Sequence, residues 1–288
     1  MDQLVLHPHT KEQVSQFIAT PTHAMLLTGS DGVGKFTLAE HIALEVLGVA
    51  PDKAYTALKI VSPDEKNTIS IESVRELQRY LQLKTLGRQA FRRAVIVEHA
   101  QRMTTEAQNA FLKILEEPPQ DTILLLTVDN PRSLLPTIMS RLQAISVSAP
   151  SEEAVRAFFG AAGKDATAIS QAYFLAGGLP GLMSALLVGD DTHPLLAGVA
   201  DAKAILQKQT FERLAMVEGL SKQKETAKYV LQALQHIAQT GLDQAAKKED
   251  LAKIKQWHHI LKVSTNALNA MAQNANTKLV LSNAMLKL

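Results

Sequence analysis

Short apolar runs alternate with segments of helical period through the first half of the chain. Ala24-Met25-Leu26-Leu27-Thr28 reads as a strand that enters a Gly-rich turn. The turn leads into a helix with Ala39, Ile42, Ala43, Val46 and Leu47 on one face. Leu58-Lys59-Ile60-Val61 is a second strand candidate, and residues 71–83 return to helical spacing through Val74, Leu77 and Leu81. Ala94-Val95-Ile96-Val97 is a continuous apolar run, as expected of a strand covered on both faces. A long helix follows, with Thr104 as N-cap, Ala107, Ala110, Phe111, Ile114 and Leu115 at helical spacing, and Pro118-Pro119 as its stop. Thr122 to Thr127 is another buried strand, residues 132–140 a short helix, and Ala144 to Val147 a last strand. Strands alternating with helices predict a parallel sheet with helices on both faces.

The pattern changes after Pro150, beyond which no further strand is convincing. Ser151-Glu152-Glu153 opens a helix, Gly177-Gly178-Leu179-Pro180-Gly181 breaks the next pair, and the chain is helical from about residue 193. The clearest helical segments are 224–239, 248–272 and 276–287. The chain therefore divides into an α/β domain over residues 1–148, a small helical segment over 149–187 and an all-α segment over 188–288. The boundary near 187 is soft, because helices continue on both sides of it.

Composition narrows the chemistry. The 288 residues are 46% hydrophobic, ample for a packed core. No apolar run approaches the roughly 20 residues that span a bilayer. The N-terminus lacks the basic and apolar segments of a signal peptide, so a cytoplasmic location is expected, with no membrane partner. There are no cysteines, which excludes disulfides, thiolate zinc sites and a cysteine nucleophile. The nine histidines are scattered, and the adjacent His258 and His259 point in different directions on a helix. Net charge is +2; residues 187–288 hold 13 Lys/Arg against 9 Asp/Glu, a mild excess that reads as an ordinary solvated surface.

The strongest motif is Gly29-Ser30-Asp31-Gly32-Val33-Gly34-Lys35-Phe36-Thr37, which follows a strand and opens a helix. Glycines let backbone N–H groups curl around phosphate oxygens, the helix N-terminus adds partial positive charge, and Lys35 adds a full one. The same glycines could serve a purely structural turn, but the strand–loop–helix context favours phosphate. ATP or ADP is therefore the expected ligand. After Lys35 such loops place a Ser or Thr whose hydroxyl ligates Mg²⁺. Phe36 stands there instead, and Thr37 sits about 100° further round the helix. Ordered Mg²⁺ is not expected.

A hydrolytic site also needs an acid at the end of a neighbouring strand, and a base beside it. Val95-Ile96-Val97-Glu98-His99 is the matching strand end. Glu98 could hold a metal, and a neutral His99 could accept a proton. With Phe36 also in place, the preferred reading is that Glu98 and His99 form a degenerate acidic site without chemical duty.

Four stretches resemble the delta-prime subunits of bacterial DNA polymerase III clamp loaders, members of the AAA+ class. They are Pro21 to Gly29 running into the loop, Ile69 to Gln78, Ala107 to Pro119, and Leu135 to Arg141. The resemblance covers about residues 5–185. It implies an α/β P-loop AAA+ domain with a parallel sheet, a small helical lid, and a C-terminal helical collar domain. It gives Ser140-Arg141 a role: Arg141 as an arginine finger for ATP held by an adjacent subunit, with Ser140 supporting it. Leu142 follows where the family has Cys. Helix-end capping by Arg141 is the competing reading of the same residue. The resemblance also makes Thr127 a nucleotide-sensing position and places Leu182 where active relatives carry a lid Arg. The four-cysteine zinc module of many relatives has no counterpart here.

The function implied is a clamp-loader subunit that is not itself an ATPase. Its partners would be gamma/tau-type and delta subunits, a sliding clamp, and primed DNA through the complex. Two alternatives stay open: an active AAA+ ATPase with unusual site residues, and a scaffold subunit in which Arg141 is vestigial.

Overall fold

The computed structural model describes residues 4–51, 57–83, 90–188, 194–273 and 275–288. The chain forms two compact units, Met1–Ala149 and Pro150–Leu288.

The first unit is built on five parallel strands: β1 (Ala24–Thr28), β2 (Leu58–Val61), β3 (Arg93–Val97), β4 (Thr122–Val128) and β5 (Gln143–Ser146). Their order across the sheet is β2-β3-β4-β1-β5. Registers such as Leu26 opposite Leu126 and Val95 opposite Leu124 fix the faces. The helices are α1 (Pro8–Ala19), α2 (Lys35–Leu47), α3 (Ile71–Leu81), α4 (Thr105–Glu116) and α5 (Pro136–Met139). On one sheet face Leu26, Val95, Val97, Leu124 and Leu126 pack with Val74 and Leu77 of α3, Phe111 and Ile114 of α4, and Ile138 of α5. Side chains alternate along a strand, so Met25, Leu27, Ile96 and Leu125 face the other way, where α2 and α1 lie. Strands β1, β3 and β4 are covered on both faces, which is why they read as unbroken apolar runs. The edge strands β2 and β5 are partly exposed.

Capping sets the helix starts. Ser70 accepts from the Ser73 N–H and Thr104 from the Ala107 N–H. The helix expected over 132–140 is instead a 3-10 turn at Pro131–Ser133 followed by the four-residue α5. Pro136 is the cause. It lacks an N–H and forces Leu135 into extended backbone (φ −60°, ψ 140°), so a helix can begin only at Pro136 itself. Helix α1 had no counterpart in the periodicity; it is mostly polar and buries only Thr10, Val14 and Phe17.

The second unit is all helical: α6 (Glu152–Ala161), α7 (Ala166–Ala176), α8 (Pro180–Val188), α9 (Pro194–Gln207), α10 (Thr210–Leu220), α11 (Lys224–Lys247), α12 (Leu251–Ala272) and α13 (Thr277–Lys287). Helix α11 is its spine, packing against α7, α9, α12 and α13. It runs eight residues past the expected end at 239, through Gly241. A Cβ at Gly241 would lie 2.5 Å from the Trp257 ring, so the glycine is where α12 lays its indole onto α11. Among the described residues, no helix is long and apolar enough to cross a membrane.

Candidate phosphate-loop site

In a parallel sheet every strand's carboxyl end lies at the same edge. The chain leaves β1 toward β2 on one side, and leaves β4 toward β5 on the other, so a crevice opens between them at that edge. The loop Gly29–Thr37 sits there. Ser62, Glu98 and Asp129 follow the carboxyl ends of β2, β3 and β4.

Backbone contacts pin the loop. Gly29 N–H donates to Val128 O at 3.3 Å and Val147 N–H to Thr28 O at 2.7 Å. A Cβ on Gly29 would stand 2.5 Å from Val147 O, so no other residue fits. Gly34, left-handed at φ 90°, is the N-cap of α2 and offers no side chain to the first turn. Among the described residues, a Cβ there would meet nothing within 4 Å, so the space beside Gly34 is open. Ser30 and Thr37 are exposed, Asp31, Gly32 and Phe36 half-buried, and Val33 buried.

Lys35 is turned inward. Its Nζ donates to Gly29 O and Ser30 O, each at 2.8 Å, and lies 2.9 Å from Asp129 Oδ1. Its side chain is 5% exposed. The Asp129 contact is an ion pair whose alignment falls outside hydrogen-bond geometry, so Oδ1 has charge compensation but no hydrogen bond. The other carboxylate oxygen, Oδ2, accepts from Gln101 Nε2 at 2.7 Å.

The acidic strand end is equally engaged. Ser62 Oγ donates to Glu98 Oε2 at 2.9 Å, and Glu98 Oε1 lies 3.9 Å from His99 Nε2. His99 adopts the left-handed region at φ 49°, and its N–H donates to Thr127 Oγ1 at 3.0 Å. Thr127 is buried, its hydroxyl tying β4 to the turn after β3. Glu40, one turn into α2 beyond Phe36, has its carboxyl raised above the ordinary range, first by burial and then by the Glu98 charge.

The backbone of this loop fits a polyphosphate: it has an uncapped helix N-terminus and open space beside Gly34. The side chains fit Mg²⁺–nucleotide poorly. Lys35 is spent on its own loop, Phe36 replaces the metal-binding hydroxyl, and two carboxylates, Glu40 and Glu98, interact nearby.

Arg141 lies elsewhere. It precedes β5 and so belongs to the amino edge of the sheet, a strand length of roughly 15 Å from the loop edge. Its Nη1 donates to Thr137 O at 2.8 Å and to Ser140 Oγ at 3.3 Å, and its Nη2 to Glu116 Oε1 at 3.0 Å. Ser140 Oγ donates in turn to Thr137 O at 3.1 Å. Leu182, in the second unit, is fully buried in α8.

The sequence motifs did not single out Ser62, Gln101, Asp129 or Glu40. The usable signal for Asp129 was its place just past the carboxyl end of a central strand, where ligands of open α/β sheets gather.

Residues 7–151 match the model of a family described as DNA polymerase III, delta subunit. The chain belongs to this family. It is similar to DNA polymerase III subunit delta' of Pseudomonas aeruginosa, 33% identical over 221 residues, covering 70% of this chain and 66% of that protein. The Escherichia coli subunit delta' is 35% identical over 127 residues, covering 44% of this chain and 37% of its own length. The chain is also similar to subunit gamma/tau of Mycobacterium bovis, 30% identical over 136 residues, covering 41% of this chain and 23% of that one. The chain thus spans under two thirds of the length of these relatives. A solved structure of a gamma subunit-related protein from Thermotoga maritima has a TM-score of 0.54 at 20% identity, covering 96% of this chain and 97% of its own. That likeness shows the fold: an α/β domain on a parallel sheet followed by an all-helical part.

Proposed function

We propose that this chain is a delta-prime-like subunit of a clamp loader that does not hydrolyse ATP itself and lends Arg141 to ATP held by a neighbouring subunit. In this reading residues 149–187 act as the lid and 188–288 join a helical collar with gamma/tau-type and delta subunits. The complex opens a sliding clamp and places it on primed DNA.

One observation carries the reading. Arg141 and the phosphate loop occupy opposite edges of one parallel sheet, so Arg141 cannot serve its own loop. Its guanidinium is exposed enough to meet a second protein. An arginine beside a γ-phosphate neutralises charge that develops in the transition state, and is worth roughly 10³–10⁵ in rate. The degraded loop site supports the other half of the reading, because Lys35, Phe36 and His99 each depart from what hydrolysis needs.

A scaffold reading has its own support: Arg141 already caps Thr137 O and pairs with Glu116. Steady-state ATPase of the reconstituted loader with clamp and primed DNA decides between them. The chain alone is expected to be inactive, and Arg141→Ala to cut the rate of the intact complex about tenfold or more. Unchanged turnover with Arg141→Ala would leave the scaffold, and turnover by the isolated chain would make it an active ATPase.

A further inference from the structure

A P-loop lysine serves a polyphosphate only if its ammonium can reach it. Here two protons of Lys35 are already taken by the carbonyls of Gly29 and Ser30, and its charge is compensated by Asp129. Asp129 is itself braced: Gln101 Nε2 holds its second oxygen at 2.7 Å and lies 3.4 Å from His99 Nδ1. His99 is anchored through its N–H to Thr127. A continuous set of polar contacts therefore runs from the ends of β3 and β4 into the loop.

We propose that Asp129 sets the nucleotide affinity of this loop: its carboxylate latches Lys35 against the loop's own carbonyls, and a polyphosphate binds only by displacing it. The cost of binding has two parts. A nearly buried ammonium must leave its counter-ion, and that counter-ion must then remain, uncompensated, beside an incoming anion. The ion pair is the part that can yield, since Asp129 Oδ1 has no hydrogen bond to hold it. This inference rests on the reading of the loop as non-hydrolytic, and is independent of Arg141.

The test is equilibrium binding of ATP and ADP to the whole chain by titration calorimetry, with Mg²⁺ and with EDTA. Asp129→Asn keeps the shape and the Gln101 contact but removes the charge. It is expected to tighten binding about tenfold, with or without Mg²⁺. The double variant Lys35→Ala/Asp129→Asn is expected to show none of that gain, because the freed ammonium is its source. Gln101→Ala, which only loosens Asp129, is expected to give a smaller gain of about threefold. No gain in Asp129→Asn, or a gain that survives removal of Lys35, overturns the latch. If Asp129→Asn does not fold by circular dichroism, Gln101→Ala decides, and unchanged affinity there overturns it. Tight binding by the wild-type chain without turnover overturns the latch alone. Tight binding with turnover overturns the non-hydrolytic reading as well.

Discussion

Arg141 and Glu116 face each other across the ends of α5 and α4, Nη2 to Oε1 at 3.0 Å, with side chains 37% and 50% exposed. A pair this open contributes about 0–1 kcal/mol, since water screens it and two long side chains must be ordered to make it. Arg141 is thus placed without being committed, and a partner's anion could take it from Glu116 at little cost. Glu116→Ala is expected to change folding stability by less than about 1 kcal/mol in urea denaturation. A larger loss would mean that the arginine is structurally bound and a poor candidate for donation.

The buried counterpart is Arg93 with Asp121, 7% and 10% exposed and 3.0 Å apart. Arg93 Nη1 also donates to Tyr80 O and Leu83 O, each at 3.1 Å, fastening the end of α3 to the start of β3. Asp121→Ala leaves that guanidinium buried without its carboxylate, and is expected to cost about 3–5 kcal/mol. Adding Arg93→Met removes the stranded charge, so the double variant should be more stable than Asp121→Ala alone. Thermal and urea melts of both would show it. An additive double variant would contradict the pairing.

The first unit was readable because its central strands are covered on both faces, so Ala94–Val97 and Thr122–Thr127 appear as apolar blocks, and because Thr104 marks a helix start. Helix α1 was hidden, since it docks with three buried residues and leaves little period. The end of α11 was hidden by Gly241, whose tolerance depends on a Trp257 contact that sequence cannot display. At the site, motif logic found Lys35 and Glu98, and the resemblance Thr127, but not the partners of the first two. Asp129 and Ser62 meet those residues only through strand order. The opposition of Arg141 and the loop is likewise a consequence of parallel topology rather than of any motif.

Gly29 tests how tightly the loop is seated. A methyl group there would be 2.5 Å from Val147 O, a backbone atom that cannot rotate away. Val147 is bound to Thr28 O through its own N–H, so relief must come from moving the loop off β5. Gly29→Ala is expected to destabilise the chain by about 1–3 kcal/mol and to disturb the position of Lys35. A melt within about 0.5 kcal/mol of wild type would show that the loop can shift freely.

Glu40 gives a pH-dependent test of the loop's electrostatics. Its carboxyl is raised by burial first and by Glu98 second, so the folded chain holds that proton more tightly than the unfolded one. An acid whose folded pKa is raised costs stability above that pKa, and costs nothing below its unfolded value. Glu40→Gln is therefore expected to stabilise the chain at pH 7, with the gain fading as pH falls through the carboxylate range toward about 4. Because part of the cause is a like charge, the gain should shrink in a Glu98→Gln background, where only burial remains. Urea denaturation of the wild type, the two single variants and the double at pH 7 and pH 4 measures both effects. A gain that is equal at the two pH values would assign it to packing, and one indifferent to Glu98 would show that the two carboxylates do not interact.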